Sequence, residues 1–456
     1  MSFSVEQVLS EVKRDPAAFR ANGIDRLVHA AVFDPDPGKS VARQAIRKAA
    51  AALGILPASI QDLYSAMGRG AVKGFTVPAI NLRMLTYDSA RAVFRAAHAL
   101  DCGAFVFEIA RSEMGYTDQR PAEYASAVLA AAIKEGHRGP VFIQGDHFQV
   151  NAKKFAADPE PERKAIEALI DDAIPAGFFN IDIDTSTLVD MSQATETEQQ
   201  RRNAENAAHF TRHIRARQPR GVTISIGGEI GEVGKEVSTP EEFRAFMDGY
   251  QKALPAGTTG VSKISINTGT THGGTVLPDG TVAKVSINFG AIREISRIGR
   301  TEYGISGAVQ HGASTTPPDD FHLFPENGAS EVHLATEFQN MTYESPVFPK
   351  ALKDEMYAWL KANAADERKP KDTDEQFFYR SRKKAIGPFK KAQWDLPQAA
   401  RDTIGAALQA KFEFLFKKLA AAGTRAVVAA HVRPVEIGTG ALAGAGAFHR
   451  DDEAGD

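Results

Sequence analysis

"VFIQGDHFQV", residues 141–150, decides how the chain is read. Four apolar or amide residues rich in branched and aromatic side chains stop at Gly145, and Asp146 and His147 follow side by side. A run of that length and composition reads as a buried strand, yet it ends on two groups that are costly to bury alone. The same pattern recurs along the chain. Outward from 141–147 lie "FTVPAIN" (75–81), "AFVFEIA" (104–110), "FFNIDID" (178–184), "VTISIGGE" (222–229), "VSKISIN" (261–267), "ISGAVQH" (305–311) and "EVHLAT" (331–336). Amphipathic stretches such as "SARAVFRAAHAL" and "PEEFRAFMDGYQKAL" separate most of them. Strands alternating with helices imply a parallel sheet. Eight of them within about 270 residues is the count and length of a (β/α)8 barrel, a TIM barrel. An open doubly wound sheet normally carries a glycine fingerprint after its first strand, and "FTVPAINLRML" has none.

On either side the pattern changes. Residues 1–70 read as a helical N-terminal extension, 71–345 as the barrel, 346–436 as a helical C-terminal extension, and 437–456, rich in Gly and Ala and then acidic, as a flexible tail. The 456 residues carry 43% hydrophobic and 24% charged side chains and a net charge of -3, an ordinary globular balance. No basic field suggests nucleic acid or an anionic membrane, and no apolar run is long enough to span a bilayer. The N-terminus has no signal-peptide core, so a cytoplasmic protein is expected. Cys102 is the single cysteine, which excludes a disulfide framework and a thiolate metal site. The amphipathic additions need a surface to cover, which suggests a homo-oligomer.

In this fold the chemistry sits at the C-terminal ends of the strands. Those ends carry Asn81, Glu108, Asp146 with His147, Asp182 with Asp184, Glu229, Asn267 with His272, His311 and His333. One histidine at a strand end is usually structural. Several imidazoles and carboxylates on one rim repel or resist burial unless a cation joins them. Imidazole donors suit zinc and related transition metals, and three protein ligands with an open position is a catalytic pattern. "THGG" (271–274) and "QHGAST" (310–315) add glycines whose backbone N–H groups can approach an anion closely, in the loops that often bind phosphate in this fold.

These residues resemble the class II, zinc-dependent fructose-bisphosphate aldolases over roughly 74–340. "PAIN" (78–81), "GDH" (145–147), "NIDIDTS" (180–186), "GGEIGEVGKE" (227–236), "GTTHGG" (269–274) and "QHGAS" (310–314) are similar to that family's motifs, in the same order. The resemblance implies that His147, His272 and His311 hold the catalytic Zn2+, with Asp184 and Glu229 at a second, resting metal position. It implies Asp146 as the acid/base for the hydroxyl beside the breaking bond, and Glu236, with Glu232 as the alternative, as the second. Asn81, Gly234, Gly273, Gly312, Ser314, His333 and Thr336 then fall on substrate positions, and the substrate is a phosphorylated sugar. The implied reaction is reversible cleavage of a ketose bisphosphate, most plausibly fructose 1,6-bisphosphate. Tagatose or sedoheptulose bisphosphate, a non-catalytic companion subunit and a metal-dependent sugar epimerase are the alternatives. The departures lie at the eighth strand, where His333 and Ala335 replace the family's Asn and Asp, and at Ala110, which stands where a small hydroxyl residue often binds substrate. The basic run Arg380, Arg382, Lys383, Lys384, Lys390 is either a phosphate clamp over the barrel mouth or a solvated helix face.

Overall fold

The computed structural model describes residues 4–231, 237–269 and 286–437. Nine parallel strands form one sheet: β1 (Ile55–Ala58), β2 (Val77–Asn81), β3 (Val106–Ala110), β4 (Gly139–Gln149), β5 (Asn180–Asp184), β6 (Ser225–Glu229), β7 (Lys263–Ile266), β8 (Ala308–Gln310) and β9 (Glu331–Leu334). Strands β2 to β9 pair in sequence, and β2 also pairs with β9, so the eight close into a (β/α)8 barrel. Right-handed crossovers need helices on the outside of such a ring. They are supplied by segments such as Thr86–Ala99, Pro159–Ala176, Glu196–Arg217 and Pro240–Ala253.

Local signals set where these helices begin. Thr239 caps the helix that follows it, its side chain accepting from the Glu242 backbone while Glu242 reaches back to the Thr239 N–H, with Pro240 at the first position. Asp158 and Thr195 cap two others in the same way.

The N-terminal stretch is not helical throughout, as its periodicity suggests. β1 interrupts it and pairs with the first half of β4, from Ile55 opposite Gly139 to Ala58 opposite Phe142. "ILPA" lacks alternation and is too short to be told from the end of the preceding helix. The helix that follows, Gln61–Gly68, closes the N-terminal end of the barrel. Ile60, Leu63, Tyr64 and Met67 pack there on Val77, Ala79, Val106 and Phe142 as a separate apolar cluster. A second, larger cluster lies between the strands and the surrounding helices and runs without a break into the N- and C-terminal helices. The long C-terminal helix, Gln398–Lys418, packs on Thr86–Ala99, and the Leu419 carbonyl accepts from the Thr76 N–H at 3.0 Å, next to β2.

Candidate metal centre and barrel interior

Strand β4 does not run straight to its end. Its pairing with β5 shifts register between Gly145 and Phe148, a bulge that re-aims the residues inside it. Only glycine fits at 145, because a Cβ there would stand 2.4 Å from the Phe148 ring. His147 takes the left-handed conformation, at φ 38°, which L residues avoid at a cost of about 1–2 kcal/mol. Strain of this kind persists where the surroundings over-determine it. The result is that Asp146 and His147 both reach the rim cluster.

His147 Nδ1 lies 3.0 Å from Asp184 Oδ2 and 3.3 Å from Glu229 Oε2. Its ring centroid is 4.3 Å from that of His311, and Asp146, His147 and His311 bring donor atoms within reach of one cation, as do His147, Asp184 and Glu229. Four ligands at ~2.0–2.1 Å in a tetrahedron stand about 3.3 Å apart, so these separations fit a divalent ion. The second layer is present too. Asp184 Oδ1 accepts from the Ser186 hydroxyl at 2.6 Å, and Gln149 donates to Oδ2 at 2.6 Å. Without an ion the charges adjust among themselves. Burial and the neighbouring Asp184 push Glu229 up to about 7, and against the burial that opposes it the carboxylates raise His147 well above an ordinary imidazole.

Inside the barrel lies a second polar group. A barrel interior is ordinarily filled by layers of branched apolar side chains. Here Lys263, buried at the start of β7, donates to Gln144 Oε1 and Asp182 Oδ2, both at 2.9 Å, and to Glu331. Tyr64 donates to the other oxygen of Glu331 from the closing helix, and Gln144 donates to Glu331 Oε1 at 2.9 Å. His333 donates from Nε2 to Glu331 Oε1 at 2.7 Å. Its Nδ1 faces Glu108 Oε2 at 2.9 Å and Asp146 Oδ1 at 3.3 Å. The His333 ring lies 4.0 Å from the His311 ring, so the two groups touch. Gly227 makes room for this, since a Cβ there would sit 2.3 Å from Asp182 Oδ1. Burial and then the Asp146 charge push Glu108 up to about 8, and burial pushes Asp182 up to about 6 although Lys263 pulls it down. Although burial favours the acid, His147 and His333 hold Asp146 well below the usual carboxylate range.

Among the residues expected at the site, Asp146, His147, Asp184, Glu229, His311 and His333 come together. Asn81 donates to Glu113 Oε2 at 2.5 Å, in the short helix Arg111–Tyr116 that follows β3. Gly312 has φ 66°, a turn that leads to Ser314, whose hydroxyl oxygen accepts from the Ala335 N–H at 3.1 Å. Thr336 lies 3.5 Å from an Arg83 nitrogen. Glu232, Gly234, Glu236, His272 and Gly273 lie outside the described residues.

The basic run does not form a clamp. Arg380 pairs with Asp372, Arg382 with Glu344, Lys384 with Glu367 and Lys390 with Glu123, while Lys383 lies over the Tyr116 ring. Arg382, Lys383 and Lys390 fasten the C-terminal segment to the barrel, while Arg380 and Lys384 pair within that segment. Arg83 goes unnoticed in the sequence. It ion-pairs with Glu113 at 2.6 Å and reaches Thr336 and Gln339 across the β2–β9 seam. Lys263 and Glu331 are missed as well. Strand parity was the available signal, because Lys263 shares a face with Ser265 and Asn267, and Glu331 with His333.

Residues 62–399 match the model of the class-II fructose-bisphosphate aldolase family. No curated protein matches the chain. Among solved structures, the chain is similar to a fructuronate-tagaturonate epimerase from Cohnella laeviribosi, with 12% identity and a TM-score of 0.56, covering 87% of this chain and 90% of that one. It is similar also to a fructose-bisphosphate aldolase from Campylobacter jejuni, with 15% identity and a TM-score of 0.44, covering 81% and 96%. At 12% identity the likeness to the epimerase speaks to the fold alone. The family match spans most of the sequence and contains the bulged "GDH" turn and the His311 loop, and with it the chain belongs to the class-II fructose-bisphosphate aldolase family.

Proposed function

We propose that the protein is a zinc-dependent aldolase that cleaves a ketose bisphosphate, with fructose 1,6-bisphosphate as the foremost candidate. The observation that carries this reading is the convergence of His147, His311, Asp184 and Glu229 donors beside Asp146 on one rim. In this reading His147, His311 and His272 hold the zinc, and Asp184 and Glu229 form its resting position. Bound zinc supplies Lewis-acid polarisation of the ketose carbonyl.

The chain's own groups do the rest. Asp146, held anionic by its histidine neighbours, takes the proton of the C4 hydroxyl as the C3–C4 bond opens. The electron pair of that bond passes to C3 and the adjoining carbonyl. A second acid, Glu236 or Glu232, returns a proton to that fragment. Gly312 and Ser314 hold a phosphate through backbone and hydroxyl groups, Gly273 and Gly234 add backbone N–H groups, and Thr336 with Arg83 lines the edge across from them. Asn81 orients a sugar hydroxyl, whereas both ring nitrogens of His333, expected on a substrate position, are turned to the interior carboxylates.

The test is a panel of fructose, tagatose and sedoheptulose bisphosphates, assayed with zinc and with chelator. Triose phosphate released only in the presence of metal is expected, and its absence with every sugar sinks the reading. Asp146→Ala should keep the ion at His147 and lose turnover.

A second reading is favoured by His333, which stands 3.3 Å from Asp146 where the family has an amide. Two proton-handling groups so close suit an epimerase that moves a proton without breaking the carbon chain. Fructuronate converted to tagaturonate, with no triose product, selects that reading.

A further inference from the structure

We propose that Glu108, Asp146 and His333 form a second divalent-cation site inside the barrel, next to the His147 cluster and sharing Asp146 with it. The inference rests on the interior geometry and not on the aldol reading.

The donors converge. His333 Nδ1 stands 2.9 Å from Glu108 Oε2 and 3.3 Å from Asp146 Oδ1, and all three residues offer atoms within reach of one ion. Those are ligand-to-ligand spacings about a small cation, with edges of about 3.3 Å. Glu108 Oε2 also accepts from Gln144 Nε2 at 3.2 Å, which leaves its other oxygen over. His333 Nδ1, Asp146 Oδ1 and Glu108 Oε1 are buried without an aligned hydrogen bond, in residues at most 5% exposed. Buried polar atoms normally find partners, and three unpartnered atoms within one triad leave room for a group that joins them.

The outer layer matches as well. A metal-bound imidazole typically donates its other N–H to a carboxylate, which fixes the tautomer. His333 does so to Glu331, and Glu331 is in turn held by Lys263, Gln144 and Tyr64. Nδ1 is left facing the two carboxylates, the position a divalent cation would take in exchange for the imidazolium proton. The adjacent group of Asp182, Glu331 and His333 needs no ion, because the Lys263 ammonium already sits between Asp182 and Glu331. One imidazole with two carboxylates suits Zn2+, Co2+ or Mn2+ rather than Ca2+. Coordination uses one oxygen of Asp146 and leaves the other for the proton.

The experiment is metal content of the full-length chain after equilibrium dialysis against Zn2+ alone, with circular dichroism to verify folding. Glu108→Gln and His333→Phe should each bind one ion fewer than the wild type. Glu331→Gln, which keeps all three ligands, should weaken that ion by about 10–100-fold. If His333→Phe does not fold, the isosteric Glu108→Gln decides. Variants that match the wild-type stoichiometry, or a wild type that binds a single ion, overturn the proposal. Stoichiometry is read without turnover, so a chain that binds the inner ion yet cleaves no sugar removes the aldol reading and leaves this one standing.

Discussion

Two clusters of acid and imidazole lie side by side in this barrel, and they handle the same electrostatic problem differently. At the rim, His147, Asp184 and Glu229 crowd together, and among the described residues their ion pairs are with one another. At the base of the interior, Asp182 and Glu331 share Lys263, which is 1% exposed and pushed up to about 12 by its two carboxylates against the burial that opposes them. A lysine is a cation that cannot leave, so it makes structure. A cluster that waits for an exchangeable cation keeps an open coordination position, and so makes a site. Glu108, Asp146 and His333 stand between the two, sharing His333 with the lysine network and Asp146 with the rim.

The contrast can be broken from the rim side first. His147→Ala should reduce metal-dependent turnover by at least about 10³-fold while leaving the thermal midpoint of the metal-free protein within a few degrees, as expected for a strained ligand on a folded scaffold. A midpoint that collapses with activity would make His147 a structural residue. From the interior side the expectation is reversed. Lys263→Met leaves Asp182 and Glu331 without their ammonium, and breaking a buried pair in this way costs about 3–5 kcal/mol. Urea unfolding should record it, and added zinc should not restore it.

A third histidine serves as the control. His137 is buried against Phe94 and the His98 ring, with no carboxylate touching it, and its Nε2 lies 3.2 Å from the Pro140 carbonyl. Burial pulls it down to about 4. Its unfolded value is about 6.5, so its contribution is present above that pH and fades as the pH falls toward 4. His137→Phe should flatten the acid branch of a stability profile between those limits, by about 3 kcal/mol. An unchanged branch would show that His137 is not the acid-sensitive group. The smallest effect is expected for Tyr64→Phe, which removes one donor from Glu331 and should cost about 1–3 kcal/mol with metal content unchanged.

Much of this was legible beforehand because strand ends in a parallel barrel have one destination. Once eight apolar runs were counted, Asp146, His147, Asp184, Glu229 and His311 had to share a rim. The interior was harder to read. Lys263 and Glu331 sit at the starts of their strands, where a charged residue looks like the polar edge of a loop. Parity with Ser265 and His333 was a weak signal against that reading, and the bonds from Lys263 to Asp182 and Glu331 show that both point into the barrel. β1 was hidden because "ILPA" continues an alanine-rich helix in composition. The basic run misled for a related reason, since its partners Asp372, Glu367, Glu344 and Glu123 are scattered over the sequence and meet it only after folding.

The seam between β2 and β9 has a consequence for how the chain is made. β2 is among the first barrel strands to leave the ribosome, and one of its edges pairs with β9. The Thr76 N–H beside it is taken by the Leu419 carbonyl, at the end of the long C-terminal helix. Until β9 has been synthesised the nascent protein presents an open strand edge, which invites wrong pairing, and until those still later residues follow it presents the apolar face of helix Thr86–Ala99. The C-terminal helix thus works as a timing element, and chains terminated shortly before residue 398 should aggregate rather than yield a smaller soluble barrel.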